Sequence, residues 1–392
     1  MKILRAVRDN RASFTLRVAT ALVVVALIEF LAFLAIEFIL LPREPSLFFH
    51  PPAVIESKFQ RYMEVRDPLL GWPARTGNAA GIEEVVSRPI PAYPVPGAEC
   101  VSLYGDSFTY GDEVQDFEAW SNALSLKLGC RVANYGIGGY GTDQAYLRFS
   151  KNANDNAKLV ILGVFPDNVM RNVNQYRYFL DAQTVFSLKP RFILEGNGLR
   201  LVEVPIWNYE EFLSATKNPE KAFSYETFLP DSPDGPVTPS FPYLWRAIRL
   251  LLSERVKSGL LGHTNWEVFF RSDHPTQALR ITVEIADLFK NACRSRGKNC
   301  LVIIYPTGRS FKQFKRTGLI VTRPLGDGLG HRGIKYLDLH QAFSERVEEK
   351  GFCELLTRPG GCVGHFNAEG NRLVADIVYE HLTKKNLLKM GR

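Results

Sequence analysis

The longest apolar segment of the chain lies near its start, where "VATALVVVALIEFLAFLAIEFILL" runs from Val18 to Leu41. A helix of this length, rising 1.5 Å per residue, is long enough to cross a bilayer. Pro42 and Pro45 end the pattern. The run is longer than the apolar region of a cleaved signal peptide, which is the alternative, and no A-x-A site closes it. We therefore expect an uncleaved transmembrane anchor over residues 18–42.

After the anchor, the sequence pattern has two regions and an insertion within the second. Residues 43–99 are rich in proline and turn-forming residues and predict a stalk, whereas the pattern over residues 100–392 alternates short apolar runs with longer helical segments. An insertion at about 190–272, aromatic and proline-rich with a hairpin turning at 196–198, interrupts it. The predicted strands are 101–104, 132–135, 159–165, 300–305 and 335–339. This alternation predicts an α/β fold with a parallel sheet covered on both faces.

Charge is concentrated at the two ends of the chain. The formal net charge is +7, of which residues 1–17 and 384–392 each contribute +4, so the body between them carries −1. Such a body has no electrostatic footprint for nucleic acid. The basic segment before the anchor predicts a single-pass protein of the inner or plasma membrane, with a cytoplasmic N-terminus and an extracytoplasmic domain, periplasmic in a bacterium.

Two acidic residues lie within the apolar span. Ionisable groups inside a membrane are costly and usually face a protein partner or water. Glu37 is close to the Pro42 end and can reach the interface, but Glu29 is nearer the middle. Glu29 therefore predicts a membrane-protein partner.

The chain has six cysteines, an even count that suits disulfides in an oxidising compartment. Their positions predict sequential pairing, with free buried cysteines as the alternative. The expected bridges are Cys100–Cys130, Cys293–Cys300 and Cys353–Cys362. No Cys or His spacing suggests a metal site, and we expect neither a metal nor a cofactor.

Polar turn segments follow the first three predicted strands, and a fourth precedes the last predicted helix. They read "GDSF", "NYGIGGYG", "FPDNV" and "GHFNAEGN". In a parallel sheet, active sites form at the carboxyl ends of the strands. The four segments and their order resemble the SGNH, or GDSL-like, hydrolase superfamily over about residues 100–165 and 275–385. The resemblance implies a three-layer α/β/α sandwich with a flavodoxin-like sheet. The wider sequence around these segments is similar to membrane-anchored members of the superfamily that modify cell-surface polysaccharide or lipid.

The same resemblance implies roles for individual residues. Ser107 matches the nucleophile and His365 the general base. Gly139 and Asn168, together with the Ser107 N–H, match the oxyanion hole. We prefer Asn168 to Asp167 as donor because an ionised carboxylate only accepts hydrogen bonds. Asp167 can instead cap the helix that follows.

One position departs from the family pattern. The aspartate that usually precedes the histidine by three residues is replaced by Cys362. A main-chain carbonyl of residues 361–364 or a distant acid such as Asp338 or Glu354 can orient the His365 ring, or the site is degenerate. With Cys362 in a disulfide, we expect a Ser–His dyad held by a carbonyl. The other histidines carry no motif.

These observations together predict an extracytoplasmic, membrane-anchored esterase or O-acyltransferase. Its substrates would be acyl esters, acetyl esters above all, of a cell-surface glycan or lipid. The alternative is a catalytically degenerate protein of the same fold that binds glycan or serves as a scaffold subunit of a membrane complex.

The apolar run and its basic flank predict that a protease added to intact spheroplasts digests the chain beyond Pro42. The N-terminal tail should stay protected until the membrane is opened. Full protection of the region after Pro42, with the outer barrier removed, would contradict the predicted export.

Overall fold

The computed structural model describes residues 2–72, 85–97, 99–196, 198–204, 208–261 and 266–388. Its strands are β1 (Glu99–Tyr104), β2 (Arg131–Asn134), β3 (Leu159–Val164), β4 (Arg191–Glu195), β5 (Gly198–Val202), β6 (Asn299–Ile304), β7 (Tyr336–Asp338), β8 (Leu356–Arg358) and β9 (Val363–Phe366).

Helices make up most of the remaining regular structure. They are α1 (Lys2–Leu34), α2 (Leu41–Arg43), α3 (Glu56–Val65), α4 (Ser107–Tyr110), α5 (Trp120–Leu128), α6 (Thr142–Lys151), α7 (Asn168–Arg171), α8 (Tyr209–Lys217), α9 (Pro219–Ala222), α10 (Tyr243–Leu252), α11 (Glu254–Leu261), α12 (Ala278–Ser295), α13 (Gly308–Thr317), α14 (Arg323–His331), α15 (Leu339–Ser344), α16 (Glu349–Glu354) and α17 (Ala368–Lys384).

Five strands form one parallel sheet in the order β2-β1-β3-β6-β7. Side chains of the central strand β3 alternate between two apolar layers, as the two-residue period of a strand requires. Leu159 and Ile161 pack with α5 and α17 on one face, and Val160 and Leu162 pack with α6 and α12 on the other. The predicted three-layer α/β/α sandwich with a parallel sheet is confirmed.

The segment after the apolar helix packs on this body, which differs from the expected stalk over residues 43–99. Phe49, Phe59 and Leu70 are buried in the same layer as α6 and α12. Phe59 contacts the insertion, where its ring centroid lies 5.1 Å from that of Phe212 in α8. Within the predicted stalk, these large apolar side chains are buried. Residues 73–84 lie outside the described part of the chain.

The insertion consists of the antiparallel hairpin β4–β5 followed by helices α8 to α11. Asn197, in the predicted hairpin turn, lies outside the described residues. Lys189, just before β4, is buried, and its Nζ donates to Asp143 Oδ2 at 2.5 Å. The other two N–H groups of Nζ are shared among the carbonyl oxygens of Arg171, Asn174 and Pro190, which all lie within 3.0 Å. The insertion is thus bonded directly to the loops at the end of the sheet.

Two of the three predicted disulfides are formed in the structure, Cys100–Cys130 and Cys353–Cys362. The third prediction is wrong for this structure, because Cys293 and Cys300 are free thiols. Cys293 is buried in the last turn of α12, and Cys300 is the second residue of β6. The two thiols are hydrogen-bonded to each other, and this contact raises the pKa of Cys293. The prediction that Cys293 and Cys300 lie next to each other is correct, but the predicted covalent bond between them is not formed in this structure.

One helix in the described part of the chain, Phe14–Arg43, is long and apolar enough to cross a membrane. It comprises the end of α1, a π-helical stretch over Ala35–Leu40, and α2. Within it, the Glu29 carboxylate accepts hydrogen bonds from the main-chain N–H groups of Tyr243 and Leu244. Glu29 therefore has partners inside the chain, and the membrane-protein partner stays a prediction.

Candidate active site

The candidate nucleophile lies on a sharp turn at the carboxyl end of β1. Ser107 is the first residue of α4, with only 7% of its surface exposed. Asp106 caps this helix, because its Oδ1 accepts from the N–H of Phe108 at 2.9 Å. Burial raises the pKa of Asp106, and the Arg171 guanidinium, 3.8 Å from its Oδ2, opposes the shift. The turn holds Ser107 at the edge of the sheet where the other candidate residues lie.

The second loop, which follows β2, lies directly on this turn. The N–H of Ile137 donates to the carbonyl oxygen of Gly105 at 3.1 Å. Gly139 has φ +81°, a backbone conformation that glycine adopts without strain. Its carbonyl oxygen accepts from Arg177 Nη1 at 2.8 Å, which fixes the loop in place. The loop that contains Gly139 is therefore fastened to the nucleophile turn through Ile137, and the oxyanion role of Gly139 stays a prediction.

The third loop supplies a buried amide beside the nucleophile turn. Asn168 is the first residue of α7 and is fully buried. Arg171 Nη1 lies 3.1 Å from its Oδ1, and because a guanidinium only donates, the amide oxygen must face Arg171. Asn168 Nδ2 makes no well-aligned hydrogen bond to any residue that the structure describes, but the Asn168 amide is close enough to the buried Asp106 carboxylate to lower its pKa. An oxyanion bound at the site would offer this donor a further acceptor.

Asp167, the alternative at this loop, occupies the N-cap position of α7 without a capping hydrogen bond from its side chain. Its Oδ2 lies 3.8 Å from Arg171 Nη2 instead. The expectation that Asp167 caps the helix is therefore wrong, because the carboxylate is oriented towards the guanidinium.

The candidate base lies on β9, beside the nucleophile turn. The His365 ring is 5.0 Å from the Phe108 ring between centroids, and α4 packs against β9. The Cys353–Cys362 disulfide fastens the segment that enters β9. No hydrogen bond joins Ser107 and His365 in the described structure, and such contacts often tighten only when substrate binds.

A carboxylate that sequence reasoning missed lies beside the His365 ring. Glu113 Oε2 is 3.4 Å from His365 Nδ1 and 3.4 Å from the His365 main-chain nitrogen. The same oxygen accepts from Thr357 Oγ1, and this hydrogen bond lowers the pKa of Glu113. Nδ1 makes no well-aligned hydrogen bond within the described chain, which includes the carbonyls of 361–364. The expected carbonyl-held dyad is therefore wrong, because the partner nearest to Nδ1 is an acid from the first loop.

The loop that carries Glu113 is held rigidly by one arginine. Arg88 is 4% exposed, and its guanidinium donates to the carbonyl oxygens of Gly111 and Val114 at 2.6 and 2.7 Å. Its Nε pairs with Asp116 at 2.7 Å. Glu113 itself has φ +68°, a conformation uncommon for a residue with a side chain. The loop thus keeps an unfavourable backbone conformation at the position that brings the carboxylate to His365.

A second serine–histidine–aspartate chain lies at the ends of β6 and β7. Ser310 Oγ is 2.8 Å from His340 Nε2, and His340 Nδ1 is 2.7 Å from Asp338 Oδ1. Ser310 and His340 are both fully buried, and Ser310 Oγ also bonds Thr307 within a capping box. A substrate cannot reach this hydroxyl, so the chain fastens α13 to the end of β7. Asp338, a candidate partner of His365 from the sequence, is bonded to His340 instead.

The parallel sheet and the four polar segments at one of its edges agree with the α/β/α fold that the resemblance to SGNH hydrolases implies. No family model and no curated protein matches the sequence. Among solved structures, the chain is similar to a lipolytic protein of the G-D-S-L family from Veillonella parvula DSM 2008, with TM-score 0.33, 11% identity, and coverage of 72% of this chain and 98% of that one.

Two further similar structures are acetylxylan esterases. One is a catalytic mutant from Geobacillus stearothermophilus, with TM-score 0.37, 11% identity, and coverage of 73% of this chain and 94% of that one. The other has TM-score 0.35, 12% identity, and coverage of 72% of this chain and 98% of that one. The candidate site residues are therefore identified from the geometry of this chain and not from the similar structures.

Close packing behind the His365 segment gives a test of its rigidity. A Cβ on Gly308 would lie 1.9 Å from the Cys362 carbonyl oxygen, so Gly308→Ala should push this segment away. We expect the free energy of unfolding to fall by about 1–3 kcal/mol, as for overpacked cores. Denaturant titration of the full chain in detergent measures it.

The matched control is Gly330→Ala in helix α14, where a Cβ would meet nothing within 4 Å. This substitution should raise stability by about 0.4–1 kcal/mol. Equal effects of the two substitutions would show that the Gly308 contact is not as tight as described.

Proposed function

We propose that this protein is a membrane-anchored, extracytoplasmic esterase or O-acyltransferase that acts on acyl esters of a cell-surface glycan or lipid. The observation that carries the proposal is that Ser107, His365 and the buried Asn168 amide all lie at one edge of the sheet. The helix Phe14–Arg43 and the two disulfides support anchoring and export.

The reaction would begin with attack of Ser107 Oγ on the ester carbonyl carbon while His365 takes the hydroxyl proton. The oxyanion that forms would accept hydrogen bonds from Asn168 Nδ2 and the Gly139 N–H. Collapse breaks the bond to the alcohol, which leaves with the proton from His365. Water or a sugar hydroxyl then attacks the acyl-enzyme, and the choice between them separates hydrolysis from transfer.

Glu113 takes the place of the family aspartate in this scheme. The hydrogen bond from Thr357 lowers the pKa of Glu113, which favours the ionised carboxylate. It can therefore stabilise the imidazolium that forms at His365. Because Glu113 reaches His365 from the first loop, the role does not require an acid at position 362.

A second candidate function is a catalytically degenerate scaffold. It is favoured by the absence of an aligned hydrogen bond at His365 Nδ1 in the described chain and by the cysteine at position 362. In that case the groups at the sheet edge would bind an acylated glycan without turning it over.

A fluorophosphonate probe distinguishes the two functions. We expect Ser107 Oγ to displace fluoride from phosphorus, with its proton passing to His365, so the full chain in detergent is labelled once. Ser107→Ala should abolish labelling. Ser310→Ala, which removes the serine of the buried chain, should leave it intact. Absence of labelling in the wild type, or loss only in the Ser310 variant, would contradict the proposed nucleophile.

Substitution of Glu113 by glutamine tests the acid. We expect kcat for ester hydrolysis to fall by about 100-fold with KM nearly unchanged, less than the ~10⁴-fold cost of spoiling an aligned aspartate. The effect is smaller because Glu113 is partly exposed and solvent screens it.

The control is Glu354→Gln, which removes an exposed acid that sequence reasoning considered for the same role. Its kcat should equal that of the wild type. If both variants have the same rate, Glu113 has no part in orienting His365.

A further inference from the structure

Helix α10 and the two residues before it expose a surface of apolar side chains, whose contact with water is energetically unfavourable. Phe241 is 74% exposed and Trp245 is 49% exposed. Large exposed apolar patches mark surfaces that contact another apolar phase. The exposed apolar residues are Phe241, Trp245, Ile248, Leu251 and Leu252. Their spacing places most of them along one side of α10.

The two arginines of α10 are bonded to the loop at Asp231. Arg246 Nη1 pairs with Asp231 Oδ1 at 2.8 Å, and Arg249 donates to the Asp231 carbonyl oxygen. The Arg249 guanidinium also lies over the Trp245 ring, 5.5 Å from its centroid, at the border of the exposed surface. Beyond this border the exposed surface of α10 consists of apolar side chains.

The start of α10 is fastened to the middle of the apolar N-terminal helix. Glu29 accepts from the N–H groups of Tyr243 and Leu244, which are two of the orphan donors at a helix N-terminus. Tyr243 Oη donates to Glu37 at 3.0 Å, and its ring packs edge-on against Phe33 at 5.1 Å. A carboxylate at a helix N-terminus is also favoured by the helix dipole.

The position of Glu29 along the helix sets the depth of this contact. If the hydrocarbon core begins at Val18, Glu29 lies about 17 Å into it at 1.5 Å per residue. The core is about 30 Å thick, so the start of α10 is more than 10 Å inside the outer boundary. Leu250, near the other end of α10, packs with Ile36 and Phe48, so α10 runs from this depth back towards the domain.

A groove of about 790 Å³ separates the two helices on their exposed side. One wall is α1 and the other is the segment from Phe241 to Ile248. The groove is continuous with the apolar exposed surface of α1, which faces acyl chains if the helix spans the membrane. Its wall contains two ionisable residues, Glu29 and Tyr243, and both are bonded within the chain, so neither requires a polar partner from outside.

We propose that residues 241–252 form a finger inserted into the outer leaflet and that its groove with α1 binds lipid acyl chains. The finger rests on the proposed anchor but is independent of the proposed chemistry. It would give the domain a second attachment to the bilayer beside the spanning helix.

Tryptophan fluorescence in vesicles of phosphatidylcholine brominated on its acyl chains tests this. In the full chain with Trp245→Phe as background, Phe241→Trp introduces a reporter at the deep end of the finger. We expect the added emission to be lost in brominated vesicles and kept in vesicles of unbrominated phosphatidylcholine. Leu319→Trp is the control, because Leu319 is 61% exposed on the domain, and its emission should be kept in both.

Two outcomes would overturn the proposal, and they are distinguishable from failure of the anchor. Emission that both reporters keep in brominated vesicles, in a protein that resists alkaline extraction, would show that the chain is inserted without the finger. Protection of the Phe241→Trp emission together with cross-linked dimers through residue 241 would assign the groove to a second copy of the chain. Release of the protein by alkali would instead refute the anchor itself.

Discussion

The ion pair between Lys189 and Asp143 holds together the parts of the chain that form the candidate site. Removing two charges from water costs several kcal/mol per ion, so a buried pair persists only when its remaining hydrogen bonds are made. Lys189 meets this condition, because Nζ also donates to carbonyl oxygens of Arg171 and Asn174. Asp143 lies in the first turn of α6, just after the Gly139 loop, and Arg171 ends the helix that Asn168 begins. One cation thus fixes the second and third loops relative to each other.

A second buried charge extends this constraint through the insertion. The Glu226 carboxylate accepts from the N–H groups of Gln175 and Tyr176 at 2.6 and 2.9 Å, in the segment that leads to Arg177. Arg177 in turn holds the Gly139 carbonyl. The insertion is therefore a structural part of the site, although it interrupts the regular α/β order.

The sequence alone was sufficient to predict the strands of the sheet, because a buried parallel strand is a short continuous run of apolar residues. The run "LVILGVF" for β3 is an example. The sequence was also sufficient for the nucleophile turn, where Gly, Asp and Ser have local turn preferences. It was not sufficient for Glu113, which lies six residues after Ser107 in "GDEV" and meets His365 only through the tertiary fold. The hydrogen bonds of His340 to Ser310 and Asp338 were missed for the same reason. The residue types at separate positions do not show which side chains come into contact in the folded chain.

The packing of residues 43–72 on the domain has a consequence for how far the protein can act. An enzyme on a flexible linker samples a volume that grows with linker length. Here Phe49 and Phe59 are buried in the domain directly after the apolar helix, so the described chain contains no such tether at this junction. If the apolar helix spans a membrane and Ser107 is the nucleophile, Ser107 would lie at a fixed height above the bilayer, and only ester groups at that height could reach it.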